Sequence, residues 1–600
     1  MNAENIKTTT DNKDYNSLQY GTQHRTIFFD ILLVGGGPAN LTLAIHLTNL
    51  IKKHNADIIE KKIDARPIDY ENKIAIIEKG INFGAHSISG AILDPVALNK
   101  IIPEHLQLGF PIESKIEEEE IWYLTSKYRW KLPVIPRFLK NHGNYVVSLS
   151  KMVSWMAKQA EQNDVVLLNE VAGVELLVKD NQLWGVKTDD RQISPKHYPG
   201  YQLKAQVTIL GEGSAGVLTS AAIKRFGLDH SKNPSVYELG VKEVYELNKA
   251  DKSDNLSINI GASKIGAGKC IHTMGYPLST GLSSLITSHK SGGAFLYGMA
   301  ENRLAIGMVT HLSCADPHLD VHRELQQFKR HPYIQKILHN AKVVGYGAKT
   351  VPCGGLYTIP RLTHNGLMII GDGANLLDSR KLKGLHLAME SGILAAEELF
   401  AGYLRNDFQN PTPKDYKGFE MRLKQSFIYN EMYKSRNFSQ AMKMGIPLPG
   451  GPLIGVQLMT KGWNPTGNLK TRPDYQQTRP INQPVGSRNK NASVNDAVHC
   501  DEKIVIDKLT DVFLSRTTHS EDQNSHITLK NEEHCKLCFQ RYDAPCCCFC
   551  PAQVYEKREK KITINFSNCL HCKCCDLKCP LDNIVWRLPE AGGGPQYTIQ

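Results

Sequence analysis

Eleven of the 15 cysteines lie between Cys535 and Cys579, where an even spread over 600 residues would place about one. So local a thiol cluster in so long a chain is not a disulfide framework, which belongs to short secreted domains. The first 23 residues are polar and carry Glu4, Asp11 and Asp14, unlike a secretory signal or an Arg-rich, acid-poor transit peptide. A metal site in a reducing compartment is expected, most simply the bacterial cytoplasm. Within the cluster, Cys569-x2-Cys572-x2-Cys575-x3-Cys579-Pro580 is the bacterial ferredoxin run. Thiolates at this spacing can wrap one side of a 4Fe–4S cubane, whereas zinc more often takes two separated Cys-x2-Cys knuckles. Cys569, Cys572 and Cys575 are three ligands. The fourth is Cys550 or Cys579. In two-cluster ferredoxins the last cysteine of the run serves the other cluster and a remote Cys-Pro completes the first, and Cys550-Pro551 is such a pair, which favours Cys550. A second cubane drawn from Cys535, Cys538, Cys546 and Cys579 is set aside, because seven residues separate Cys538 from Cys546 where a ferredoxin run has two. Cys574 reads as a bystander, and Cys546, Cys547 and Cys548 as structural or oxidisable thiols. About four iron atoms per flavin are expected.

Upstream, the chain reads as a nucleotide-binding α/β protein. The apolar run Ile27 to Val34 leads into Gly35-Gly36-Gly37 and a helical stretch, and Ile74 to Ile77 ends at Glu78. A pyrophosphate needs backbone N–H donors at a helix N-terminus and glycines that let it approach. Gly35 and Gly37 supply the first two fingerprint positions. Asn40 stands where a third glycine is usual, and a slightly wider helix–strand approach is expected. Glu78 can accept from adenosine ribose hydroxyls. Val207 to Leu210 precedes Gly211-Glu212-Gly213, and Leu367 to Ile370 precedes Gly371-Asp372 and a helix. Asp372 reads as the carboxylate on a flavin ribityl chain. Two such elements so far apart favour FAD over NAD, with Gly35, Gly37, Glu78, Gly213 and Asp372 as its contacts. Between residues 236 and 345 lie β-like runs that suggest a second, mostly antiparallel domain inserted in the first.

With 41% hydrophobic and 22% charged residues, a sizeable core can be buried and a mainly disordered chain is excluded. No run of 18 apolar residues marks a spanning helix. The net charge of +11 is modest for the length and suits an acidic partner or an anionic lipid surface as well as nucleic acid, though no nucleic-acid partner is expected. Phe438 to Trp463 is apolar but interrupted by Gly and Pro. It suggests insertion into one membrane leaflet through side chains such as Met442, Ile446, Leu448, Leu453, Ile454, Leu458 and Met459, with Trp463 at headgroup level.

Several strings together resemble the electron transfer flavoprotein–ubiquinone oxidoreductase family over about residues 30–597. They are Gly84-Ala85-His86, Ser89-Gly90-Ala91, Asn141-His142-Gly143-Asn144-Tyr145, Gly292-Gly293-Ala294-Phe295-Leu296-Tyr297, Lys383-Gly384, Phe549-Cys550-Pro551-Ala552, Asn568-Cys569-Leu570-His571-Cys572 and Gly592-Gly593-Gly594-Pro595. The resemblance implies a quinone-reducing flavoprotein, an electron-transferring-flavoprotein dehydrogenase. It implies FAD, one 4Fe–4S cluster on Cys550, Cys569, Cys572 and Cys575, and a quinone site at Gly292 and Gly293. It also implies electron transfer flavoprotein and ubiquinone as partners, and a monomer bound monotopically to the cytoplasmic face of the bacterial inner membrane.

The expected fold is a Rossmann-like FAD domain with an inserted β-rich quinone-binding domain and a C-terminal ferredoxin-like 4Fe–4S domain. The FAD domain takes residues 27–100, 140–235 and 345–435, and the quinone domain 101–139 and 236–344. A polar arm covers 1–26, a membrane-associating segment 436–463, a linker 464–501 with a polar insertion from Val485 to Val498, and the cluster domain 502–600. His86, His272 and His386 lie near motif segments and are weighed as proton relays, with no general acid or base assigned. The alternatives are a related FAD oxidoreductase with another acceptor, or an electron-relay subunit without a quinone pocket.

Overall fold

Thr26–Val34 is apolar on both faces from Ile31 onward, as a central parallel strand covered by helices requires. In the computed structural model, which describes residues 25–90, 92–193, 196–247, 265–279, 291–410, 412–444, 449–483, 504–559 and 561–600, it sits centrally in an eight-stranded sheet. Parallel neighbours are Gln202–Leu210 on one side and Ile74–Glu78 on the other, continued by Leu367–Ile369 and Val166–Asn169. Register aligns Val34 with both Leu210 and Ile77, and Leu210 with Ile369. The glycine turns after three of these strands, and Glu78 at the end of a fourth, therefore collect at the carboxyl edge, where open α/β sheets bind ligands.

Helices Pro38–Ile59 and Leu385–Leu404 cover this edge. They touch so closely that a Cβ on Gly392 would lie 2.3 Å from the Ala39 carbonyl oxygen. Asn40, at the usual third-glycine position, bonds across the contact between helix and strand. Its buried amide donates to the carbonyls of Val34 (3.0 Å) and Gly35 (2.7 Å), stitching the helix onto the strand it leaves. Gly211 leaves the room for it, since a Cβ there would meet the Asn40 side chain at 2.6 Å.

A second sheet of seven strands runs in the order Lys342–Pro352, Tyr237–Glu246, Arg303–His311, Gly292–Gly298, Lys269–Gly275, Glu118–Leu124, Arg129–Lys131. All neighbours are antiparallel except Lys269–Gly275 with Glu118–Leu124. The C-terminal unit packs onto both sheets. Tyr346 Oη donates to the Pro551 carbonyl (3.0 Å) and Thr350 Oγ1 to that of Cys572 (2.8 Å). The Gly592 N–H reaches the Lys79 carbonyl at 2.7 Å, and the Gln600 carbonyl accepts from the Ser150 N–H at 3.2 Å. The expected combination of a flavin-type α/β sheet, a β-rich insert and a small cysteine-rich unit is the architecture found.

Of the apolar stretch after Phe438, the described parts are two short helices, Phe438–Lys443 and Gly450–Met459. Met459 is 87% exposed and Trp463 53%. Ile446 and Leu448 lie outside the described residues, as do Ala91, residues 1–24 and the segment Val485 to Val498.

Candidate functional site

At the sheet's carboxyl edge, Gly35 adopts φ +100°, and a Cβ there would press to 2.7 Å on the Gly211 carbonyl oxygen. The helix that follows starts at Gly37 with no side-chain cap and no acidic residue in its first turn. Its leading N–H groups and positive dipole end are left to an anion, as a pyrophosphate requires. Gly213 has φ +75°, with open space where a Cβ would stand. Asp372 lies in the short turn Gly371–Ala374, and burial raises its carboxyl to about 6, against the pull of Lys349. Gly35, Gly37, Glu78, Gly213 and Asp372 thus come to one edge. An uncapped helix start beside open backbone fits a dinucleotide.

Glu78 is bound more tightly than its sequence position discloses. One carboxylate oxygen accepts the Gly36 N–H and the other the Gly80 N–H, both at 2.8 Å. Burial opposes ionisation, but His86, Lys79 and the Gly80 N–H outweigh it and hold the group at about 2. It is therefore a fixed anion that shapes the glycine turn. Glu78→Gln would turn an amide donor toward one of these two N–H groups. An approximately tenfold loss of FAD affinity is expected, read by flavin titration of the apoprotein, since charge-assisted hydrogen bonds contribute about 1.5–3 kcal/mol.

Cys550, Cys569, Cys572 and Cys575 are all buried and line one cavity together with Ile527, Tyr555 and Trp586. Helix Cys574–Lys578 positions the last of them, and the extended backbone at Cys550 brings in the remote thiol. The His571 N–H points at Cys569 Sγ (3.4 Å), a contact of the kind that tunes iron–sulfur centres. Lys508 Nζ donates to the carbonyls of Cys548 (3.1 Å) and Cys550 (2.9 Å), fixing the upstream loop. Cys574 lines the cavity as well, but its thiol donates to the Phe549 carbonyl (3.8 Å), and the other four thiols fit a cubane. Cys579 is not among them and lines a neighbouring cavity instead.

The thiol cavity adjoins the glycine edge. Lys573, between Cys572 and Cys574, donates to the Ala215 carbonyl at 2.7 Å, and Lys79, next to Glu78, lies 2.8 Å from His571 Nδ1. The sequence alone did not single out Lys79, Lys573 or Lys349. Burial lowers Lys79 to about 7 and Lys573 to about 8.

Gly292 and Gly293 open the strand Gly292–Gly298 of the second sheet. A Cβ on Gly292 would meet the Val309 carbonyl oxygen at 2.1 Å, and one on Gly293 that of Thr273 at 2.6 Å. Crowding by both neighbouring strands alone accounts for glycine at each position, and the exposed strand end leaves bare backbone for a flat group. Of the three histidines, His86 faces the edge, 3.7 Å from Glu78 and 3.1 Å from the Gly593 carbonyl oxygen. His272 lies 2.8 Å from Tyr297 Oη, and burial, helped by Lys383, drops it to about 4. His386 pairs with Glu431 at 2.9 Å.

Comparison with known proteins agrees with this geometry. The family profile described as electron transfer flavoprotein-ubiquinone oxidoreductase, 4Fe-4S, matches residues 502–598. The one described as ETF-QO, ubiquinone-binding, matches residues 237–351. A probable electron transfer flavoprotein-ubiquinone oxidoreductase of Acinetobacter baylyi is 33% identical over 602 residues, covering 95% of this chain and 98% of the relative. The mitochondrial protein of that name from Bos taurus is 34% identical over 589 residues, covering 95% and 88%. Among solved structures, a geranylgeranyl bacteriochlorophyll reductase-like protein of Thermoplasma acidophilum aligns with TM-score 0.49 and 16% identity over 72% of this chain and 91% of that one.

Proposed function

The chain belongs to the electron transfer flavoprotein–ubiquinone oxidoreductase family, and on that premise we propose how its residues carry out the family's reaction. The protein passes electrons from reduced electron transfer flavoprotein through a 4Fe–4S cluster and FAD to ubiquinone. Iron–sulfur chemistry supplies one-electron steps and flavin can hold one or two electrons, so the pair converts between the two regimes. Cys550, Cys569, Cys572 and Cys575 hold the cluster. Gly35, Gly37, Glu78, Gly213 and Asp372 hold FAD, and Gly292 and Gly293 form a backbone wall for the quinone headgroup.

The observation that carries this assignment is the adjacency of the thiol cavity and the glycine edge, joined by Lys573 to Ala215 and by Lys79 to His571. These contacts hold the two cofactor sites in fixed relation while keeping bulk water from the space between. Steady-state electron transfer from reduced electron transfer flavoprotein to a soluble quinone analogue should proceed, and faster than to a soluble non-quinone acceptor. Protein that purified with NAD and no flavin would sink the assignment.

The protein works as a monomer on a membrane surface, in a bacterium on the cytoplasmic face of the inner membrane. None of the described helices is long and apolar enough to cross. Exposed Met459 and Trp463 on the Gly450–Met459 side, with exposed Tyr128, Trp130 and Val134 around the strand Arg129–Lys131, are available to enter one leaflet. Burying one such side chain contributes about 1.5–3 kcal/mol. Met459→Ser and Trp463→Ser should therefore each lower partitioning onto anionic vesicles about tenfold in a co-sedimentation assay. Complete recovery of wild-type protein in the soluble fraction of gently lysed cells would count against this placement.

A further inference from the structure

Cys579-Pro580 ends the ferredoxin run and yet has no task in the four-cysteine site. In ferredoxins with two cubanes, each Cys-Pro completes the opposite cluster. Cys550-Pro551, the tail of the upstream cysteines, serves the downstream set, so Cys579-Pro580 should serve the upstream one. The obstacle along the chain is the long gap between Cys538 and Cys546. The fold removes it. Helix Glu532–Tyr542 ends in left-handed Asp543 (φ 57°) and Ala544 (φ 53°), and Pro545 starts the short helix Cys546–Phe549. The chain reverses at that point and carries Cys546 back beside Cys538.

Cys535, Cys538, Cys546 and Cys579 consequently line a single cavity, walled by Leu529, Phe539, Phe549 and Tyr555. Like the cavity of the inner cysteines, it gathers thiols from both the upstream and the downstream cysteine segments around one space. Asn583 addresses two of the sulfurs. Its backbone N–H points at Cys579 Sγ (3.4 Å) and its amide at Cys535 Sγ (3.3 Å). The first contact repeats the one His571 makes to Cys569 at the same distance.

The spacing also separates iron–sulfur from zinc. A tetrahedral zinc with bonds of about 2.3 Å draws its sulfurs to about 3.8 Å from one another. Among the described residues, three groups bring potential ligand atoms within 4.8 Å of one another: His519, His526 and His571; Glu238, His311 and Cys353; and Glu243, His322 and Asp511. No thiol of the C-terminal unit is in any of them. Neither the sulfurs of this cavity nor those of the inner one stand as a set as close as a single zinc would draw them.

We propose that Cys535, Cys538, Cys546 and Cys579 bind a second 4Fe–4S cluster, placed outward of the first, with the Tyr555 ring lining both cavities. The proposal rests on the preceding assignment only in leaving Cys579 free. Cys535 and Cys538 are half-buried, whereas the other site's four cysteines are buried, so the second centre lies nearer the surface and adds room for one further electron there.

The test is iron, sulfide, zinc and FAD content of anaerobically purified full-length protein. Wild type should hold about eight iron atoms per FAD, falling to about four both in Cys535→Ser/Cys538→Ser and in Cys569→Ser/Cys572→Ser. The dithionite-reduced electron paramagnetic resonance spectrum should show spin–spin broadening that vanishes in either variant. About four irons in wild type, lost only with Cys569 and Cys572, would overturn the proposal, as would zinc held by the outer cysteines. About four irons lost only with Cys535 and Cys538 would overturn it as well, since the protein would then hold a single cluster. The wild-type count decides the matter even where a variant misfolds.

Discussion

Cys550→Ser should remove the inner cluster and lower electron transfer from reduced electron transfer flavoprotein to quinone at least about 100-fold, equivalent to about 3 kcal/mol. The thiol is buried, and its loop is pinned by Lys508, which is itself held 2.7 Å from Asp320. Serine oxygen is a hard ligand on a shorter bond, and a loop anchored in this way cannot move in to compensate. Flavin should remain bound and reducible by dithionite, because its glycine edge contains none of these cysteines. The companion variant Cys579→Ser should instead lose the outer signal. The assignment fails if the inner spectrum survives in Cys550→Ser and disappears in Cys579→Ser.

What the sequence disclosed of these sites depended on whether the chemistry is written along the chain or across it. Cys569, Cys572 and Cys575 sit on one turn and a short helix, so their spacing is their geometry. The glycine turns after strands were legible for the same reason, each being a local strand–turn–helix unit. The role of Asn40 was not legible because what accommodates it comes from elsewhere: Gly211 leaves the room for its amide. The approach of Cys546 to Cys538 was not legible, because counting residues does not see a helix end that reverses the chain. Lys79, Lys349 and Lys573 carried no signal at all. A lone lysine in sequence is normally a solvated charge, and only the docking of the C-terminal unit onto two sheets buries these three.

The same docking depends on a buried ionic network that contains no motif, and Lys329→Met should expose its importance. Lys329, on helix Val321–Lys329, places Nζ 2.9 and 2.7 Å from the two carboxylate oxygens of Glu243, and neither side chain is exposed. The Gln326 amide adds a bond of 2.8 Å to Glu243, and the Tyr245 hydroxyl donates to it as well. Nearby Asp511 is pushed well up by burial and by the charge of Glu243. Burial lowers His322, 2.7 Å from Asp511, to about 4, so it stays neutral at pH 7. Removing the lysine strands a carboxylate in the interior, which costs about 3–5 kcal/mol, whereas Lys329→Met/Glu243→Gln should recover most of that loss. Burial opposes ionisation of Glu243, but Lys329 and the hydrogen bonds hold it below its ordinary 4.5. Its stabilisation is thus complete above that value and is lost as pH falls through the folded one. In Lys329→Met the sign reverses, because the stranded carboxyl then gains by protonation, and urea denaturation should show the variant closer to wild type at pH 5 than at pH 7. Asp511 lies on helix Lys508–Leu514, one turn from the lysine that anchors the Cys550 loop. Iron should therefore be lost from Lys329→Met at lower urea than flavin, and simultaneous release of the two would show that the network does not support the cysteine unit.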